Sequence, residues 1–312
     1  MMSPRTAQIA LMALLSGCGA ALPSPVLVDK LRLLAVTADP AEMLADGAMT
    51  VHAMWADGSA RAGRPVYFLW RVCPEIAESD PRMCLQRNRG TDLGPAQVGA
   101  DTVTLRAREL PAAASLGTPP TRGYILLLAM CPDEAPSFDA TLGQYVCPAE
   151  QSLPNARREG IQAFRHVLVR DSAPPPPLNR VPVITRVNIA GMDPAVTPSI
   201  TVGTCARNGD GTPAGCAGVP MVIYPASDAA ETFAGADGGV TTESLLASFF
   251  VTAGSTDRPR AVPADGHPSG DDGALHVTWY PPATAATVRV WFALHDGRGG
   301  DAAAGPFTVT VR

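Results

Sequence analysis

The sequence predicts an all-β protein built as two antiparallel β-sandwich domains, and three observations lead there. Apolar stretches of strand length recur along the whole chain and are closed by Gly, Pro, Asp and Asn. The chain holds 31 prolines and 29 glycines, a supply that suits many turns and breaks long helices. Helical periodicity with proper caps runs nowhere beyond two turns. At 312 residues, two domains can each bury a core.

The chain opens with Arg5 as its one early charge, an almost wholly aliphatic run from Ile9 to Leu15, and then Leu15-Ser16-Gly17-Cys18. Charged, apolar, then small residues is the order of an export signal, and the run is too short to span a bilayer. Residues 1–17 resemble the signal of bacterial lipoproteins, whose lipobox ends in a cysteine that is lipidated and becomes the first mature residue. The resemblance implies acyl chains such as palmitate on Cys18. With Gly19 rather than Asp following, it also implies placement in the outer membrane, facing the periplasm or the surface. Nothing after Cys18 approaches the roughly 20 apolar residues of a membrane span, so attachment is expected through acyl chains alone. Residues 18–29 read as a tether reaching about 35 Å if extended, with Pro23 and Pro25 opposing a helix.

The first domain is expected over residues 30–170. Leu31 to Ala38 reads as a strand closed by Asp39-Pro40. Met49 to Trp55 is a second, with Thr50 and His52 on one face and Val51, Ala53 and Trp55 on the other. Pro65 to Val72 is a strongly apolar third strand and Thr102 to Arg106 a weaker fourth. Gly123 to Cys131 is the most apolar of all and is expected at the sheet centre; Ala163 to Arg170 closes the domain. Pro154 to Ile161 has room for one short helix. Asp171 to Pro182 contains four consecutive prolines and is read as a stiff linker, 171–182. The second domain, 183–312, repeats the pattern with strands at Val183 to Ala190, Ser199 to Cys205, Val219 to Tyr224, Leu245 to Thr252, Leu275 to Tyr280, Ala286 to His295 and Pro306 to Val311.

Charge bounds the partners. Removing residues 1–17 deletes Arg5 and no acid, leaving 23 basic against 29 acidic residues, a net charge of −6. That balance argues against nucleic acid or anionic lipid as a partner. Seven cysteines less Cys18 leave Cys73, Cys84, Cys131, Cys147, Cys205 and Cys216. An even number in an exported chain reads as three disulfides, and although six cysteines allow 15 pairings, spacing suggests neighbours: 73 with 84, 131 with 147, 205 with 216. No CxxC pair occurs, which removes the usual zinc and thioredoxin-like readings.

Several stretches resemble bacterial immunoglobulin-like modules, including the PKD-type variety. Leu246 to Gly254 is similar to the third strand and its following bend, His276 to Pro282 to a late strand ending in Trp and a Pro turn. Val288 to Gly300 with Phe307 to Val311 is similar to the final hairpin and its Asp-Gly-Arg-Gly-Gly turn. In the first domain, Trp70 and Tyr124 match the pattern more loosely. The resemblance implies two immunoglobulin-like sandwiches. One departure is plain: the second strand, Met49 to Trp55, has no cysteine for the antibody-type inter-sheet bond. Residues 26–75 also resemble surface lipoproteins of myxobacteria-like organisms, a likeness that brings no activity with it.

Catalytic patterns are sparse. There is no Gly-x-Ser-x-Gly elbow, no His-Glu-x-x-His and no Walker loop. His52, His166 and His276 lie inside strands, and Trp55, Trp70, Trp279 and Trp291 lie in apolar strands, so both groups are expected to serve packing. Arg87, Arg89, Arg157 and Arg158 read as solvated loop charges. Asp265, His267, Asp271 and Asp272 gather on one turn-rich loop as weak candidates for a hard cation, and Asn208-Gly209-Asp210-Gly211 echoes the start of a calcium loop without its last carboxylate. No metal or cofactor is expected. The expectation is a non-catalytic, lipid-anchored cell-envelope lipoprotein acting as a structural or protein-interaction module, with a polysaccharide-binding module as the alternative.

Overall fold

The computed structural model describes residues 24–59, 61, 63–75, 84, 90–116, 120–153, 158–171, 178–234, 239–263 and 273–312. Residues 1–17, expected to be an export signal, lie outside the described residues, as do Cys18, residues 19–23 and the prolines at 174–177.

The first domain runs through β1 (Leu31–Asp39), β2 (Met43–Leu44), β3 (Ala48–Asp57), β4 (Val66–Pro74), β5 (Thr91–Asp92), β6 (Gln97–Val98), β7 (Thr102–Arg106), β8 (Ser115–Leu116), β9 (Thr121–Pro132), β10 (Ser137–Asp139), β11 (Gln144–Val146) and β12 (Ile161–Arg170). The second contains β13 (Ile184–Ile189), β14 (Ile200–Val202), β15 (Ala206–Arg207), β16 (Pro213–Ala214), β17 (Val219–Pro225), β18 (Thr232–Ala234), β19 (Val240–Thr242), β20 (Leu246–Val251), β21 (Ser255–Thr256), β22 (Arg260–Ala261), β23 (Leu275–Tyr280), β24 (Ala286–His295) and β25 (Asp301–Val311).

Both halves share one wiring. In the first, β1-β3-β7 faces β2-β12-β9-β4-β5; in the second, β13-β17-β23-β21 faces β14-β25-β24-β20-β22. In each, the opening strand divides: β1 and β13 join one sheet, while β2 and β14 cross to run parallel beside the last strand of the other. All remaining pairings among the named strands are antiparallel. This is the arrangement of an immunoglobulin-like sandwich.

The cores follow from the period of two. In the second domain Val288, Val290, Phe292 and Leu294 of β24, with Phe249 on the adjacent β20, face Trp279 and Ile223 of the other sheet, all 0% exposed. Phe249 and Phe292 meet edge to face with centroids 5.6 Å apart, worth about 0.5–1.5 kcal/mol beyond their area. In the first domain Tyr124, Leu126, Leu128 and Met130 of β9, with Phe68 on the adjacent β4, face Val51 and Leu105 of the other sheet. The Tyr124 hydroxyl donates to the Pro111 carbonyl at 3.0 Å, the corner contact such sandwiches use to pin the turn before their sixth strand.

The unbroken apolarity of β9 has a specific cause. Its other face, Ile125, Leu127 and Ala129, is also covered, by Phe138 and Tyr145 of the β10–β11 hairpin and by Cys84, next to Leu69, Cys73 and Phe164 on the neighbouring strands. A strand buried on both faces cannot alternate. Cys73 bonds Cys84 and Cys131 bonds Cys147, with Cα separations of 5.6 and 5.4 Å, so both bonds staple connecting segments next to this outer layer. Cys205 bonds Cys216 at 5.5 Å across the β15–β16 hairpin.

Several boundaries move. The last strand begins at Asp301, five residues before the expected Pro306, because it continues through Gly305 along β24. The second strand of the second domain shrinks to Ile200–Val202. The short helix at Pro154 to Ile161 is corrected at its end: Ile161 pairs with Met130 as the first residue of β12, and residues 154–157 are not described. Residues 24–29, assigned to the tether, pack instead against the second domain. Leu27 bridges Val251 in parallel, the Val28 amide donates to the Val251 carbonyl at 2.8 Å, and Val28 is 0% exposed.

Candidate functional site

Two places concentrate polar side chains around a concavity. The first lies beneath the segment joining β9 to β12. The β10–β11 hairpin turns at Asp139, whose carboxylate accepts the amides of Thr141 and Leu142. The buried Glu150 carboxylate accepts the amides of Glu159 and Gly160, both at 2.8 Å, tying the end of the segment to its middle. A recess of about 520 Å³ remains against the sheet, lined by Met130, Gln144, Tyr145, Gln151, Arg158 and Gln162 among others. Beside it Arg71, 2% exposed, donates to Asp92 at 2.5 Å, to the Tyr145 hydroxyl at 3.0 Å and to the Cys84 carbonyl at 3.2 Å. The Tyr145 hydroxyl donates in turn to Asp92 at 2.9 Å. Burial, then that bond to a carboxylate, pushes the Tyr145 phenol above its usual range, so it stays protonated and holds its orientation.

The second place is the seam between the sandwiches. A bulge in β1 between Leu33 and Ala35 turns Leu34 and Ala35 to the same side. They join Val28, Met54 and Ala56 against Trp291, Ala293 and Phe250 of the second domain. Met54 and Ala56 thus lie on the outer face of β3, where alternation predicts solvent. Trp291, expected in a domain core, alternates with the core residues of β24 and fills this seam instead. Arg289 donates to the Asp57 carbonyl at 2.8 Å across it.

Polar groups extend the seam. Arg165 on β12, only 8% exposed, reaches the Val36 carbonyl, the Asp301 carboxylate and the Gly299 carbonyl, bridging the domains with one guanidinium. His295 also bonds Asp301. Burial alone raises the Asp301 carboxyl, but His295 and Arg165 outweigh it and hold the group below the ordinary aspartate value. Asn179, at the end of the linker and 1% exposed, donates its amide N–H to Glu42 at 3.3 Å and its side-chain amide to Asp296 at 2.9 Å. Glu42 is held by Arg170, with Nε at 2.9 Å. The linker's described end is therefore fixed to both domains, where the proline run by itself predicts a free-standing spacer.

The Asp296-Gly297-Arg298-Gly299-Gly300 turn acquires a role here. Asp296 accepts the amides of Arg298 and Gly300 at 2.7 and 2.8 Å. A Cβ on Gly300 would stand 2.0 Å from the Asp296 carboxylate and 2.8 Å from the Arg180 carbonyl, so only glycine fits. Alongside the seam runs a groove of about 1040 Å³, walled by Thr37–Ala41, Thr50 and His52 on one side and by Asp301–Ala303 and Gly305 on the other.

The weak cation candidates Asp265, His267, Asp271 and Asp272 lie outside the described residues, as do Arg87, Arg89 and Arg157. Asn208 to Gly211 forms the β15–β16 turn, with Asp210 spending its carboxylate on the Thr212 amide and hydroxyl. Three histidines face carboxylates: His52 near Asp101, His166 near Glu75 and His295 against Asp301. Arg158 spends its donors on the Leu153 and Gln151 carbonyls. The sequence reading missed Arg71, Asn179 and Arg165. A lone Arg inside an apolar strand, in Phe68 to Val72 and again in Ala163 to Val169, was the available signal.

The fold and the seam define a class: a tandem immunoglobulin-like sandwich protein with disulfide-stapled connections. No family model and no curated protein matches the chain. Among solved structures it is similar to Escherichia coli alpha-2-macroglobulin activated by porcine elastase, at 9% identity and a TM-score of 0.24 over 94% of this chain. The chain spans 23% of the length of that protein. It is also similar to the fibronectin(III)-like modules of Clostridium thermocellum CbhA, at 11% identity and a TM-score of 0.20, covering 90% of this chain and 92% of that one. A third is the chicken CNTN1 FN1-FN3 domains, at 9% identity and a TM-score of 0.20, covering 94% and 69%. At such overlaps, class membership rests on the strand wiring.

Proposed function

We propose that this chain is a non-catalytic cell-envelope lipoprotein, of the kind found in the outer membranes of myxobacteria-like organisms. In this reading acyl chains on Cys18 hold it to the membrane, and the two sandwiches act as one structural or protein-interaction module. The observation that supports it is the seam. An apolar patch around Trp291, the Arg165 bridge and the doubly bonded Asn179 hold two domains at a set angle, which suits a rigid presenter of loops. The lipobox supplies the anchoring half of the reading. Substituting Cys18→Ser tests it: radiolabelled palmitate should be incorporated by the parent chain alone, and the variant should leave the membrane fraction. Membrane retention of an unlabelled Cys18→Ser chain would overturn the anchor. Turnover of a general hydrolase panel, abolished by one polar loop substitution, would overturn the non-catalytic half.

The recess beneath the β10–β11 hairpin favours a second reading, a polysaccharide-binding module. Gln144 lines it beside Gln151 and Gln162, whose side-chain N–H groups bond Asp139 and the Tyr145 carbonyl, and side-chain amides are of the type that hydrogen-bond sugar hydroxyls. A glycan array and thermal shifts with envelope sugars test it, and silence in both retires it.

A further inference from the structure

We infer that the groove between the sandwiches takes an extended peptide strand of a partner protein, with small side chains and one basic residue, along the free edge of β25. This deepens the interaction-module reading and rests on it. Beside β24 on one side, β25 is flanked on its other by β14 only at Val309–Val311. Ala302–Gly305 therefore has no hydrogen-bonded strand partner on that side among the described residues. Alternate residues of an antiparallel strand turn their N–H and C=O away from the existing partner, so this stretch offers an unpaired ladder. Added strands use such ladders, drawing affinity from main-chain bonds and selectivity from alternate side chains.

The groove fits that occupant in three further ways. Its volume of about 1040 Å³ is at the top of the roughly 300–1,000 Å³ typical of ligand sites. Ala302, Ala303 and Gly305 have no bulk to hold an incoming backbone off. Asn179, which lines the groove at 1% exposure, leaves its side-chain oxygen without a hydrogen-bond partner. Such a buried acceptor costs stability unless a donor arrives. Charge selects the basic residue. Asp39 on the groove wall makes no ion pair among the described residues, and Arg180 is shared by two carboxylates, Asp228 and Glu231. The rim thus keeps an excess of negative charge, and the groove continues directly from the Arg165–Asp301 contact.

Three capped synthetic peptides test this on the full chain in detergent, read by fluorescence anisotropy: Ala-Thr-Lys-Thr-Ala, the same peptide with Glu for Lys, and the Lys peptide N-methylated at both threonines. The Lys peptide should bind, and the other two should bind about tenfold or more weakly. Ala303→Arg should weaken the Lys peptide about tenfold with an unchanged melting temperature, and Val183→Arg, at a residue that also lines the groove, repeats the block if that variant melts early. Asp39→Asn should erase the preference for Lys over Glu. No binding up to about 1 mM, equal binding of the N-methylated peptide, or full binding by both blocked variants would overturn the inference. So would a glycan that competes for the groove where the peptides fail. An envelope partner that still binds Ala303→Arg and Val183→Arg would remove the groove while leaving the broader reading intact.

Discussion

Trp291 and Phe292 are adjacent on β24 and serve different bodies. Phe292 faces the second sandwich's core against Phe249, and Trp291 faces the seam with Val28, Leu34, Met54 and Ala56. Truncating a core Phe to Ala typically costs about 3–5 kcal/mol. In a domain of this size, 1 kcal/mol shifts the midpoint by roughly 3–5 °C, so Phe292→Ala should lower the second domain's transition by about 10–20 °C. Trp291 is 2% exposed, and a buried aromatic removes about 200 Å² from water. At about 25 cal/mol per Å² that is at most about 5 kcal/mol, and it should be lost from the coupling between domains rather than from either core. Scanning calorimetry separates the two cases. Trp291→Ala should split one cooperative transition into two, while Phe292→Ala displaces the second domain's own melting. If Trp291→Ala shifts that domain as far as Phe292→Ala and leaves a single transition, the assignment of opposite faces is wrong.

Four other outcomes follow from the same geometry. Tyr124→Phe removes the donor to the Pro111 carbonyl and should cost about 1–2 kcal/mol by urea titration, with the slope unchanged. Replacing both Cys73 and Cys84 by Ala opens a link between positions 11 apart and should cost about 3 kcal/mol in the chain-entropy account, read as a urea midpoint below that of the oxidised parent when no reductant is present. Gly58→Ala would put a Cβ 1.7 Å from the Val28 carbonyl; overpacking of this kind costs about 1–3 kcal/mol, and hydrogen exchange should show the Val28 amide losing protection. Asp301, held below its ordinary value of 3.8, contributes stability that is present above that value and lost as pH falls beneath it. Asp301→Asn should therefore flatten this part of the acid limb in a series of melting temperatures, and an unchanged limb would deny the Arg165 and His295 contacts their part.

Much of the architecture was legible because it obeys local rules. Leu275–Tyr280 and Ala286–His295 end where Pro281-Pro282 and Asp296-Gly297 stop the strand, Thr102–Arg106 keeps its expected bounds, and neighbouring cysteines pair because the connections are short. The expectation of an export signal ending at Cys18 likewise rests on a linear pattern. Burial on a second face is different, since it depends on what arrives from elsewhere in the chain. Nothing near Met54 or Trp291 announces that the outer faces of β3 and β24 meet, because alternation reports which residues share a face and not what covers it. Residues 24–29 look like a tether by composition, yet Leu27 makes an isolated parallel bridge to Val251 of the distant second domain, with backbone bonds at Val26 and Val28. Sequence alone determined the class of fold, the pairing of sulfurs and the expectation of an anchored, exported chain. Only the tertiary structure decided the outer layer over β9, where Arg71 meets Tyr145 74 positions further on. It alone decided the seam and the groove too, because each joins residues more than 90 positions apart whose contact no local pattern encodes.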